Sequence, residues 1–231
     1  VLKNFKIDTI NDQTYLLKLL DFNNKVLIYK NQHSLSLFEA PLGYNVCTDI
    51  IKICNYYFKG YAIKNLFLSH HHPDHAGGIS AFKNLDCNII TTKGNIKYFE
   101  KIINNSRYLN KNYSKLSNSN KFKFIIIQND SNITIDGVRV FEIGRYTTHT
   151  KEHLVFLIPE DSLLFVSDLV VFPNGYVHNQ SERAYSVYEL INRENLEVNK
   201  IYTSWPLHGF KNFGTFEDLK SCLLKFIPIY K

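Results

Sequence analysis

The chain has 231 residues, 45% of them hydrophobic and 14% aromatic, so it can bury a substantial core and fits one large domain, residues 1–231, better than two small ones. Its longest apolar runs, such as Leu163 to Phe172, fall short of the ~20 residues a membrane span needs, and no secretory-type leader opens it, so no membrane partner is expected. The formal charge of +6 admits a polyanionic partner, yet lysine and asparagine are spread along the whole chain, which reads as a compositional bias. Only Asn110 to Phe124 clusters lysines, and a solvated loop or helix face is preferred there to a nucleic-acid role.

In chain order, Gln13–Leu20, Lys25–Lys30 and Ser34–Ala40 are β-rich runs separated by turn residues, an N-terminal meander. Asn45–Lys59 follows with Val46, Ile50, Ile51, Cys54 and Phe58 at helical spacing. Ile63–Ser69 reads as a buried strand, Gly77–Leu85 as a helix, Cys87–Thr92 as a strand and Gly94–Asn104 as a helix. A polar excursion comes next, and then strands at Lys121–Gln128, Asn132–Ile143, His153–Glu160 and Ser162–Asp168, joined by Asn-Asp, Asp-Gly and Pro-Glu-Asp-Ser turns. Ala184–Glu194 and Thr215–Ile227 are expected helices, with a short strand at Lys200–Trp205 between them. The strand-then-helix rhythm of both halves suits sheets covered by helices.

Cys47, Cys54, Cys87 and Cys222 form neither a Cys-x-x-Cys pair nor a dense framework, so buried free thiols are expected, which weakly favours a cytoplasmic location. The chain begins at Val1 and contains no methionine, which is compatible with a processed or trimmed N-terminus and a removed leader.

Chemistry concentrates at Leu66 to Gly78, LFLSHHHPDHAGG, where four of the nine histidines fall within six residues. If the segment leaves a strand still extended, residues two apart point the same way, so His70 and His72 can reach one metal while His71 faces elsewhere. Pro73 holds His72 out of the helical region, and the chain can then turn to present Asp74 and His75 to a second metal. Gly77 and Gly78 permit close backbone approach. An incidental run or a tag remnant would not carry the embedded aspartate and double glycine.

Four further residues are ambiguous singly. His149 and His153 lie in or beside a polar turn between two strands, where a histidine is more often solvated than ligating. Asp168 follows an apolar strand, where an ionised carboxylate needs a cation or strong donors, or else serves as a turn cap. His208 ends a strand and precedes Gly209.

In this order the segments resemble the metallo-β-lactamase-fold hydrolases, whose signature is HxHxDH, a histidine in a turn, an aspartate ending a strand and a last histidine before glycine. The resemblance covers nearly the whole chain and implies an α/β fold, a four-layer αββα sandwich with a dinuclear site at one edge. It assigns His70, His72 and His149 to one metal, Asp74, His75 and His208 to the other, and Asp168 to a bridge between them. Such donors suit zinc first and also iron or manganese. Two metals about 3.5 to 4 Å apart can share a hydroxide and deliver it to a carbonyl or phosphorus. Asp74 is the candidate to orient it and to move a proton towards the leaving group. His153 is expected to orient a ligand from behind.

Subfamily features point in several directions. The commonest zinc β-lactamases carry cysteine where Asp168 stands and lysine three residues beyond, where this chain has Val171. SHHHPDHAGG and HTKEH resemble the glyoxalase II type of thioester hydrolase, but the 23 residues after His208 leave no room for its C-terminal helical substrate domain. Lactonases of the fold commonly place a tyrosine at the Val171 position. A small ester, thioester or lactone is therefore the expected substrate class, with a phosphodiesterase or nuclease as the alternative and a non-catalytic metal-binding module third. Tyr146, Tyr176, His178 and Trp205 are candidate pocket walls; aromatic walls favour acyl substrates and rows of lysines favour phosphodiesters.

Overall fold

Alternating apolar runs in the first 128 residues build a seven-stranded sheet in the order β1 to β7: Phe5–Thr9, Thr14–Leu19, Asn24–Lys30, Ser34–Phe38, Ala62–Phe67, Asn88–Thr92 and Lys123–Ile127. The computed structural model describes residues 3–104, 122–128, 132–175 and 182–223. Strands β1 to β4 are antiparallel, and β4 to β7 are parallel. Parallel neighbours require a crossover. Helix α1 (Tyr44–Tyr57) lies in the crossover between β4 and β5, and α3 (Lys93–Asn104) in that between β6 and β7. Val46, Cys47, Ile50, Ile53 and Cys54 on α1, with Phe99, Ile102 and Ile103 on α3, pack in one core with Leu17, Val26, Ile28, Leu35, Leu37, Leu66 and Ile89 of the strands. Leu16, Leu27, Phe38 and Phe67, pointing to the opposite face, are also buried, so these strands read as continuous apolar runs.

Strand β1 was not expected; its FKIDT run is short and half polar, and its pairing with β2 rather than its own pattern defines it. The helix expected at Gly77–Leu85 is likewise different. A one-turn helix, α2, starts earlier at Pro73 and ends at Ala76, and a separate 3-10 turn covers Ile79–Phe82. Proline at the first helical position sets the start. Both glycines are needed for contact: a Cβ on Gly77 would strike the Pro73 carbonyl and approach the Leu42 carbonyl oxygen at 2.9 Å, and one on Gly78 would strike Cys47 Sγ.

The second compact unit, residues 129–231, holds a six-stranded sheet ordered β13-β12-β11-β10-β9-β8. Its strands are β8 (Asn132–Ile135), β9 (Val138–Glu142), β10 (Leu154–Ile158), β11 (Leu163–Phe165), β12 (Lys200–Tyr202) and β13 (Phe213–Gly214). Asp136 and Gly137, both at positive φ, close the β8–β9 hairpin, as Asp-Gly turns do. All neighbours are antiparallel except β11 and β12, whose crossover contains α4 (Glu182–Arg193). Helix α4 and α5 (Phe216–Leu223) bury Ala184, Val187, Leu190, Ile191, Leu219 and Leu223 with Phe141, Val155, Leu157, Leu164 and Ile201. The two-residue strand β13 was not expected, because so short a run carries no period. Among the described residues no helix is long and apolar enough to cross a membrane. All four cysteines are buried and free.

Candidate functional site

In the first unit the histidine segment begins where β5 ends, at the carboxyl edge of the parallel strands, a usual place for sites in such sheets. The register pairs Phe38 with Phe67, so the residues just past β4 and β5 become neighbours. Glu39 donates its backbone N–H to the Phe67 carbonyl at 2.9 Å, and Glu39 Oε1 receives the Ser69 hydroxyl at 2.6 Å. With its one proton given to the carboxylate, Ser69 Oγ can accept from His70 Nδ1, 2.9 Å away, which leaves His70 Nε2 as the lone-pair nitrogen. The same Glu39 oxygen lies 3.4 Å from His75 Nδ1, while His75 Nε2 lies 3.2 Å from Asp74 Oδ2. Glu39 thus addresses the outer nitrogen of one imidazole directly and of another through Ser69.

His72 has the extended conformation expected ahead of Pro73, with φ −62° and ψ 144°. His70 and His72 present ligand atoms within 4.8 Å of one another, their ring centroids 4.5 Å apart. His71 faces elsewhere, as expected: its ring stacks on Tyr98 of α3 at 3.9 Å, and its Nδ1 lies 3.3 Å from Asn95 Oδ1. Asn95 Nδ2 in turn donates to Thr91 Oγ1 at 3.3 Å. The segment is tied down from the other side by Ala40 N–H to the His75 carbonyl, Leu42 N–H to the Pro73 carbonyl and Gly78 N–H to the Ala40 carbonyl. Asn24 Nδ2 donates to the Asp74 carbonyl at 3.1 Å, and the Asp74 carboxylate stays half-exposed.

In the second unit, the loop between β9 and β10 carries His149. Ile143 N–H to the His153 carbonyl at 2.8 Å extends the ladder that closes this loop, and Gly144 lies so tightly against the Lys151 carbonyl that a Cβ would collide. Asp168 follows β11, whose parallel register with β12 continues through Val166 N–H to the Tyr202 carbonyl and Ser204 N–H to the Ser167 carbonyl. Ser167 is in the left-handed region at φ +59°, a strained conformation for a serine, and it turns the chain at Asp168. His149 Nε2 and Asp168 Oδ2 are 3.0 Å apart. His153 is fully buried, with a ring nitrogen within 4.8 Å of an Asp168 oxygen, a position from which it can orient that carboxylate. His208 lies in an exposed turn beyond β12, followed by Gly209 at φ +81°.

Three groups escaped sequence reasoning. Glu39 sits in FEAPLG as an isolated acid; the signal that could expose it is a carboxylate ending an apolar strand just as Asp168 does. Ser69 has no distinguishing pattern. Arg183 of α4 places Nη1 3.1 Å from His149 Nδ1. Arginine has no acceptor, so it donates to Nδ1, and the imidazole proton then sits on Nε2 facing Asp168. Of the candidate wall residues, Tyr146 is exposed with the Arg193 guanidinium 4.5 Å above its ring, and Trp205 is exposed. Tyr176 and His178 lie outside the described residues, as does most of the lysine cluster beginning at Asn110.

The donor set is nitrogen and oxygen throughout, paired within each unit as imidazole with imidazole or imidazole with carboxylate, which fits zinc or a similar divalent ion. The family model of the metallo-beta-lactamase superfamily matches residues 53–205. Among solved structures, a metallo-beta-lactamase from Hirschia baltica is 13% identical with a TM-score of 0.68, covering 95% of this chain and 96% of that one. The metallo-beta-lactamase FIM-1 from Pseudomonas aeruginosa, in its mono-zinc form, is 14% identical with a TM-score of 0.70, covering 96% and 95%. One from Pontibacter korlensis is 15% identical with a TM-score of 0.68, covering 95% and 97%. These likenesses show a shared fold. No curated protein matches the chain.

Proposed function

Because this chain belongs to the metallo-beta-lactamase superfamily, a fold of metal-dependent hydrolases, we propose that it is a dinuclear metal-dependent hydrolase of a small ester, thioester or lactone. In this reading both units act as one domain spanning residues 1–231. His70, His72 and His149 hold one ion, Asp74, His75 and His208 hold the other, and Asp168 is shared. When bound, two divalent ions, zinc first, supply polarisation of the acyl carbonyl and activation of water near neutral pH.

The protein's own groups do the rest. Glu39 and Ser69 hold the outer nitrogens of His75 and His70, keeping each Nε2 available as a ligand. Asp74, half-exposed beside His75 Nε2, orients the attacking water and carries its proton to the leaving group. His153 orients Asp168. The observation that carries the reading is the pairing of His75 Nε2 with Asp74 Oδ2 at 3.2 Å while His75 Nδ1 faces Glu39 at 3.4 Å, since it sets a lone-pair nitrogen beside an anionic oxygen.

The test is turnover of a thioester, a lactone and a phosphodiester panel with zinc, iron and manganese each supplied. Metal-dependent cleavage of an acyl substrate is expected. Cleavage confined to phosphodiesters would replace the substrate class, and no turnover by fully loaded protein would leave a metal-binding module.

A further inference from the structure

At the other end of β5 from the histidines, the first unit contains a cleft of about 680 Å³ lined by Tyr15, Lys30, Tyr56, Tyr57, Lys59 and Tyr61 among others. Tyr61 immediately precedes β5 and His70 lies nine residues later, which in extended chain is roughly 25–30 Å. The cleft is therefore remote from the histidine segment of its own unit. We propose that it binds a nucleobase carrying a phosphate, either as a free nucleotide or as one unit of a single strand.

Three observations carry this. Tyr56 and Tyr57 are the two most exposed large hydrophobic side chains among the described residues, at 68% and 54%, and both lie in this cleft. They meet edge to face, with ring centroids 5.1 Å apart at 77°, which leaves ring surface for a planar ligand. The cations are placed beside the rings: Lys30 Nζ lies 5.8 Å from the Tyr15 centroid and 5.5 Å from that of Tyr61, and Lys59 Nζ lies 5.7 Å from that of Tyr56. Among the described residues no carboxylate lines the cleft; the nearby Asp8 is ion-paired with Lys6 and Lys18. Aromatic faces for a base and ammonium groups for a phosphate, without an opposing acid, are the two components by which proteins hold single-stranded nucleic acid. The volume lies within the range of small-ligand pockets.

The test is fluorescence anisotropy of a labelled decauridylate with the full chain at low salt, with uridine monophosphate as competitor. Binding is expected to weaken roughly tenfold in Tyr56→Ala, through lost stacking, and in Lys59→Ala, which also flattens the salt dependence. Both side chains are exposed, so folding is not at stake. Lys220→Ala, on α5, controls for general positive charge and leaves binding unchanged. Competition by the mononucleotide identifies a free nucleotide as sufficient, and failure to compete identifies the strand. Absence of binding at about 100 μM protein, or equal binding by wild type and Tyr56→Ala, would overturn the proposal. Neither result depends on hydrolytic activity.

Discussion

Asp168 is the residue at which a shared metal site and a mere strand-end carboxylate differ most. Asp168→Asn removes the negative charge beside His149 Nε2 and leaves a weaker neutral oxygen, so hydrolysis of any accepted substrate should fall by about 2–4 kcal/mol of transition-state stabilisation. Circular dichroism should show the fold retained, and unchanged metal content with unchanged turnover would refute the assignment. Arg183 gives an opposite-signed test. A metal ligated through His149 Nε2 requires the ring proton on Nδ1, where Arg183 now donates at 3.1 Å. Arg183→Gln offers an amide oxygen that accepts from Nδ1–H, so zinc should bind about tenfold tighter by competitive chelator titration. Glu39→Gln weakens the hold on His75 and Ser69, and the same titration should show about ten- to a hundredfold looser binding.

Two elements carry predictions of their own. The turn after α2 approaches α1 so closely that Gly78→Ala would drive a methyl into Cys47 Sγ, within 2.8 Å of the Gly43 carbonyl oxygen. Denaturant unfolding should record a loss of about 1–3 kcal/mol, with metal affinity falling in parallel because His75 lies on the displaced turn. Strand β3 buries Lys25 completely opposite Lys18 of β2, and burial first, with the Lys18 charge second, pushes its ammonium down to about 7. Between pH 7 and the unfolded value near 10.5 the unfolded chain carries a proton that the folded chain lacks, so stability rises with pH across that window and the full penalty applies below it. Lys25→Met should therefore stabilise the protein at pH 6 to 7 by on the order of 3 kcal/mol and flatten the rise towards pH 10, as read from urea unfolding at a series of pH values.

At the scale of the whole molecule, the proposed function requires close to two metals per fully loaded chain. Metal binding should then be coupled to folding, since ions that bind only the native chain stabilise it by mass action. Removal by a chelator should lower the melting temperature, and His208→Ala should lose mainly one ion while His70, His72 and His149 keep the other. Metal analysis finding none under saturating zinc would remove the proposed function, and simultaneous loss of both ions from folded His208→Ala would contradict the division of ligands.

The sequence alone determined most of the strands and helices, because apolar residues at period 2 and period 3.6 report directly which faces are buried. It also determined the histidine segment, since His-x-His before proline dictates extended backbone with alternate side chains together; the 4.5 Å between the His70 and His72 rings and the outward stack of His71 on Tyr98 agree. Strands β1 and β13 were hidden because a strand of two residues, or one with a half-polar face, is defined by its neighbour's ladder and not by its own pattern. Glu39 and Arg183 were hidden for a related reason. Each lies thirty or more residues from the histidine or serine it touches, and only the β4–β5 register and the packing of α4 make them neighbours. Local periodicity specifies what a segment buries, whereas the partner of a polar side chain is set by which strand ends lie side by side, and that is a property of the folded sheet.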